Sequence, residues 1–154
     1  MIKFVDYDIV FQEIPNEVTL AINLSQCPNN CEGCHSPFLK TDIGDELNES
    51  ALSDLLMRYA DDVTCVAFMG GDGDLFSLVR LATFVKSQYG QLKIAWYTGR
   101  EQLPKDVSFK DFDYIKVGPY KREFGPLNKR TTNQRLYKMR DGKISDDVTY
   151  LFWK

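Results

Sequence analysis

Short apolar runs that stop at glycine, alternating with helical stripes, restrict this chain to few architectures. Val63 to Met69 reads as a buried strand ended by Gly70-Gly71-Asp72-Gly73. Lys93 to Tyr97 is a second, ended by Thr98-Gly99, and Tyr114-Ile115-Lys116-Val117 a third, ended by Gly118-Pro119. Between them, Leu52, Leu55, Leu56 and Tyr59 fall at i, i+3, i+4, i+7 behind an N-cap at Asn48, and Leu78, Leu81, Ala82 and Val85 repeat that spacing. Upstream, Phe4 to Phe11 and Val18 to Leu24 read as strands split by the turn Pro15-Asn16. A weaker helical stretch is expected at Glu101–Pro104. The tail, 136–153, reads as two strands about Asp141-Gly142, with a short helix as the alternative for the second.

Strand, loop, helix, strand is the pattern of a parallel sheet with crossover connections. A closed eight-unit barrel needs about 250 residues, and this chain has 154. The expected fold is therefore α/β: one domain, 1–154, built as a partial, open parallel βα barrel, with an N-terminal strand extension and a C-terminal strand-rich tail. Parallel strands all end on one side, so the glycine turns should share a rim, where α/β folds bind ligands.

Charge is informative only when divided along the chain. The total is 19 basic against 22 acidic residues, yet 116–143 alone holds nine basic and two acidic. Such a segment marks either an anionic partner or a solvated face. Single-strand nucleic-acid binding is disfavoured, because the segment lacks interleaved aromatics and the whole is acidic. The opening residues mix charge with apolar side chains and carry no signal-type apolar stretch, and no run reaches the roughly 18 residues of a membrane span. The expectation is a cytoplasmic protein that binds neither membrane nor nucleic acid.

Three of the four cysteines sit in Cys27-Pro-Asn-Asn-Cys31-Glu-Gly-Cys34-His35, directly after a strand; the fourth, Cys65, lies in an apolar run and reads as core. Clustered thiols in a chain without a secretory signal point to metal or catalysis rather than to disulfides. A C-x3-C-x2-C loop offers three ligands, one fewer than a closed structural site. Either His35 or a distant group completes a structural zinc site, or the fourth position stays open, as in an iron–sulfur centre that works on an exogenous ligand. A zinc-stabilised binding module without turnover is the corresponding non-enzymatic reading.

The cysteine spacing at a strand end resembles the cluster loop of the radical S-adenosylmethionine superfamily. More narrowly, Cys31-Glu32-Gly33-Cys34-His35-Ser36-Pro37, Gly70-Gly71-Asp72, Tyr97-Thr98-Gly99, Lys116-Val117-Gly118-Pro119-Tyr120 and Thr131-Thr132-Asn133-Gln134-Arg135 resemble the activating proteins of anaerobic ribonucleoside-triphosphate reductase. The resemblance implies a 4Fe-4S cluster on Cys27, Cys31 and Cys34, with one iron left to chelate S-adenosylmethionine. It also implies reductive cleavage to methionine and a 5′-deoxyadenosyl radical, which takes a hydrogen from a glycine of the reductase. A flavodoxin or ferredoxin would supply the electron. By the same likeness Gly33, Cys34 and His35 line the adenine, Gly70, Gly71 and Asp72 meet the methionine end, and Thr98 faces ribose or methionine. Activation of a different glycyl-radical enzyme is the near alternative. Lys121, Arg122, Lys129 and Arg130 are expected to dock the reductase.

Overall fold

The computed structural model describes residues 2–25 and 43–153. Eight strands form one sheet: β1 (Lys3–Val10), β2 (Thr19–Leu24), β3 (Asp45–Glu46), β4 (Cys65–Met69), β5 (Lys93–Tyr97), β6 (Tyr114–Val117), β7 (Arg135–Arg140) and β8 (Lys143–Asp147). Their spatial order is β3-β1-β2-β4-β5-β6-β7-β8. The four central strands β2, β4, β5 and β6 are parallel, and every flanking pair is antiparallel. The sheet is therefore mixed, and it is not closed. Two helices, α1 (Glu49–Tyr59) and α2 (Leu75–Gln88), lie in the β2–β4 and β4–β5 crossovers, while among the described residues the β5–β6 crossover has none. Neither is long and apolar enough to cross a membrane.

Local chemistry sets these elements. Asn48 caps α1 by accepting from the Ala51 N–H at 2.9 Å, with Glu49 in the first turn and Arg58 in the last to match the helix dipole. Asp74 caps α2, accepting from the backbone and hydroxyl of Ser77 at 3.1 and 2.7 Å. Leu52, Leu55 and Leu56 of α1 and Leu78, Leu81, Ala82 and Val85 of α2 are buried in one core with Leu20, Ile22, Val66, Phe68, Ile94 and Trp96 of the central strands.

The other face of the sheet is small. Ala21, Ala67 and Ala95 lie in register across β2, β4 and β5. Ala67 and Ala95 bury there with Cys65, Ile14 from the β1–β2 connection, Leu136 and Val148. Tyr97 ties the covering segment down, its hydroxyl donating to the Glu13 carbonyl. Burial pushes the thiol of Cys65 up to about 12, with the Glu17 carboxylate adding to it.

Three segments differ from, or add to, what the sequence pattern predicts. Glu101–Pro104 forms no helix: so short a segment cannot cover the cost of helix nucleation, and Leu103 packs directly on the core instead. β3 had no pattern to announce it, since both of its residues are exposed acids; its register comes from pairing with Lys3 and Phe4. The tail holds both of its alternatives in succession, β8 followed by a 3-10 turn at Thr149–Phe152.

Gly44 precedes β3 at φ +94°, and a Cβ there would stand 2.2 Å from the Phe4 carbonyl oxygen. Gly44→Ala is expected to lower stability by about 2 kcal/mol or more, from left-handed strain plus a clash with rigid backbone. Gly90→Ala, whose Cβ would meet only the Lys86 carbonyl at 3.5 Å, should lie near neutral. Urea unfolding of the two variants measures the contrast. In a Cys27→Ser, Cys31→Ser, Cys34→Ser protein, the one remaining thiol should stay silent to a disulfide reagent near pH 8 and react at once in concentrated guanidinium.

Candidate functional site

The parallel strands run in step, so their ends define one edge. Asn23, Met69, Tyr97 and Lys116 are neighbours across β2, β4, β5 and β6. One step further, the chain turns at Leu24–Ser25, Gly70–Asp72, Thr98–Arg100 and Gly118. Ser25, the last described residue before the cysteines, lies at this edge. Ser25 is bonded through its N–H to the Lys3 carbonyl at 3.0 Å, and its hydroxyl donates to the Ile43 carbonyl at 2.6 Å. Ser25 and Ile43, the described residues on either side of 26–42, are thus bonded to each other. Cys27, Cys31, Gly33, Cys34 and His35 lie within it, outside the described residues.

The turns are bonded to one another. Gly70 N–H donates to the Tyr97 carbonyl at 3.0 Å, while its own carbonyl accepts from the Trp96 indole at 2.7 Å. Trp96 is fully buried and stacks on Phe109 with centroids 5.5 Å apart, so the indole holds the Gly70 turn from beneath. Thr98 N–H donates to Lys116, and Gly118 N–H donates to the Arg100 carbonyl at 2.6 Å. Gly70 and Gly71 both take positive φ, and a Cβ on Gly71 would come within 3.1 Å of Leu24 Cδ1. The missing side chains let the β4 turn sit against the end of β2, where the cysteine segment begins.

Asp72 is the centre of this edge. Its side chain is 2% exposed. The carboxylate accepts from the Thr98 hydroxyl and from Gly99 N–H at 3.3 Å, and it pairs with Arg100 Nε at 3.5 Å. Arg100 Nη2 also donates to the Asp72 carbonyl at 3.3 Å, and Arg100 N–H donates to Thr98 Oγ1 at 3.0 Å. Gly70, Gly71, Asp72 and Thr98 are therefore brought together, as the shared-rim argument requires. Arg100 joins them unannounced: a single basic residue after Thr-Gly carries no motif, and only its position beside a buried carboxylate reveals it.

Next to these turns the chain folds back on itself. Gln134 Nε2 and Lys116 Nζ both donate to the Gly118 carbonyl at 3.2 Å, and Asn133 Nδ2 donates to Pro119 at 3.0 Å. The Lys116 ammonium lies 5.2 Å from the centroid of the Tyr97 ring. Burial raises the Glu13 carboxyl above its ordinary range, opposed by Lys116. The loop between β6 and β7 is held by Thr131 Oγ1 donating to Phe124 at 2.5 Å and by the Trp153 indole donating to Leu127 at 3.1 Å. Arg130 and Arg135 stack on the Trp153 ring, and Lys121 pairs with Glu101 at 3.3 Å. Part of the basic segment is thus engaged within the molecule, while Arg122 and Lys129 are exposed.

Among the described residues no group of three His, Cys, Asp or Glu side chains could hold a metal ion. Cys65 is buried at the start of β4, the end away from the edge. No curated protein and no solved structure matches the chain. One family model does, described as a 4Fe-4S single cluster domain, over residues 18–124. That stretch runs from the start of β2 to the loop after β6 and takes in the cysteine segment, both helices and the parallel strands. It identifies the chain as an iron–sulfur protein, a member of the 4Fe-4S single cluster domain family.

Proposed function

We propose that this protein is a radical S-adenosylmethionine enzyme on an open, partial parallel βα barrel: the activase that generates the glycyl radical of anaerobic ribonucleoside-triphosphate reductase. The observation that carries this reading is the family match taken with the thiol spacing. The family takes one 4Fe-4S cluster, and three of the chain's four cysteines follow closely in sequence on Ser25, which sits at the edge where the strand-end turns converge. The fourth, Cys65, is four residues before Met69 along β4, roughly 13 Å from that edge, and is buried there.

The donor chemistry fits the group. Cys27, Cys31 and Cys34 would hold the cluster, thiolate being its usual ligand. When bound by only three protein thiolates, such a cluster supplies an open iron and the electron for reductive cleavage of S-adenosylmethionine. The chain's own residues do the placing. Gly70 and Gly71 bring the β4 turn against Leu24 at the end of β2, where backbone carbonyls can accept from an ammonium group. Asp72 and Thr98 lock the β4 and β5 turns together, which fixes the floor on which a ligand lies. Trp96, Phe109 and Phe112 close the core beneath that floor and exclude water from below. Gly33, Cys34 and His35 would face the adenine.

The partner surface is read from charge. Arg122, Lys129 and Arg130 are exposed on the loop that follows the β6 turn, which the Trp153 and Thr131 bonds anchor, and suit an acidic face of the reductase. Flavodoxin or ferredoxin is the reductant in this reading, and the cytoplasm its compartment.

The test is anaerobic. The protein is reconstituted with iron and sulfide, reduced, and mixed with S-adenosylmethionine and purified reductase. 5′-Deoxyadenosine and a glycyl-radical resonance are expected together, both lost in Cys27→Ala, Cys31→Ala or Cys34→Ala and both retained in Cys65→Ala. 5′-Deoxyadenosine without the reductase radical would redirect the reading to another glycyl-radical partner. A colourless, zinc-loaded protein that makes neither would overturn the enzyme reading.

A further inference from the structure

Asp72 is an expected acceptor for the methionine ammonium, but its carboxylate is committed inside the protein. The side chain is 2% exposed and engages Thr98, Gly99 and Arg100. Arg100 is the member of this group that reaches outward, with its side chain 41% exposed. Its backbone is fixed on both sides, the N–H by Thr98 Oγ1 at 3.0 Å and the carbonyl by Gly118 N–H at 2.6 Å. Its side chain is fixed by two contacts to Asp72, through Nε to the carboxylate and Nη2 to the carbonyl.

A guanidinium carries five N–H donors in a rigid plane. The two contacts to Asp72 occupy one side of that plane and stop the side chain from swinging. The remaining donors have no partner among the described residues, on a side chain that is 41% exposed where the β4 and β5 turns meet. An arginine anchored in this way pre-organises a fork that matches a planar carboxylate and loses little rotamer entropy on binding it. A lysine at the same place would offer a point charge on a mobile stem.

We propose that Arg100 binds the carboxylate of the methionyl end of S-adenosylmethionine, and that Asp72 is a positioning residue that acts through Arg100 instead of touching the ligand. This rests on the proposed reaction, since it takes S-adenosylmethionine as the ligand. It assigns the two signs of the amino-acid end to different groups, the carboxylate to Arg100 and the ammonium to backbone carbonyls of the glycine turn. The buried Asp72 carboxylate offsets the arginine's charge, so the gain comes from directed hydrogen bonds more than from net attraction. Loss of the fork should weaken binding roughly ten- to a hundredfold.

The experiment is equilibrium dialysis of the reconstituted protein against S-adenosylmethionine and its carboxamide, in wild type, Arg100→Gln, Arg100→Lys and Asp72→Asn. Chelation by the cluster contributes to the preference for the carboxylate in every variant, so the quantity to read is the change in that preference. In Arg100→Gln, affinity for S-adenosylmethionine should fall ten- to a hundredfold and the preference over the carboxamide by the same factor. Arg100→Lys should recover part of the loss. Asp72→Asn should lower the preference in the same direction, because the fork is no longer held. Equal weakening of both ligands in Arg100→Gln, or no change, would assign Arg100 a purely structural role and overturn the proposal. A preference that holds in Asp72→Asn but falls in Arg100→Gln would overturn the positioning role. Wild-type protein that binds neither ligand would defeat the proposed reaction itself, and this inference with it.

Discussion

The register of four parallel strands is the constraint on which the rest of this molecule depends. β2, β4, β5 and β6 advance in step, so Asn23, Met69, Tyr97 and Lys116 stand side by side and the turns after them emerge at one level. A slip of one residue in any pair would send its apolar side chains to the wrong face of the sheet. The helices enforce the register from one side, where Leu20, Val66, Ile94 and Ile115 bury with the leucines of α1 and α2. The alanine row enforces it from the other, leaving just enough depth for Ile14 and Val148 to close over it.

From that register the chemistry of the edge follows. Glycine at 70 and 71 lets one turn approach the end of β2, and the Trp96 indole holds that turn from below. Asp72 then reaches across to the β5 turn. A buried carboxylate is costly unless it is bonded, and here Thr98, Gly99 and Arg100 bond it. The same contacts that make the burial tolerable fix a guanidinium at the surface. Stability and, in the proposed reaction, ligand placement are in this sense one arrangement.

The periodic parts of this design were legible in the chain. The i, i+3, i+4 spacing from Leu52 and from Leu78 located both helices, and Asn48 marked the start of the first; the glycine stops located the strand ends. The thiol spacing announced an iron–sulfur site, which the family match supports. Long-range pairings were not legible. Asp72 and Arg100 are 28 residues apart, and neither residue alone distinguishes a solvated charge from a buried pair. Likewise, that Asn133 and Gln134 return to cap the Gly118 turn depends on an antiparallel β7, which no local pattern dictates. The two acids of β3 had no apolar partner to betray a strand.

In the proposed reaction three thiolates leave one iron of the cluster open to the amino-acid end of S-adenosylmethionine. Electron–nuclear double resonance on the reduced, reconstituted protein tests it most directly, with S-adenosylmethionine isotopically labelled at the methionyl amino and carboxylate groups. Hyperfine coupling from both labels to the cluster spin is expected. A reduced cluster that shows no coupling to either label, with S-adenosylmethionine demonstrably bound, would contradict it.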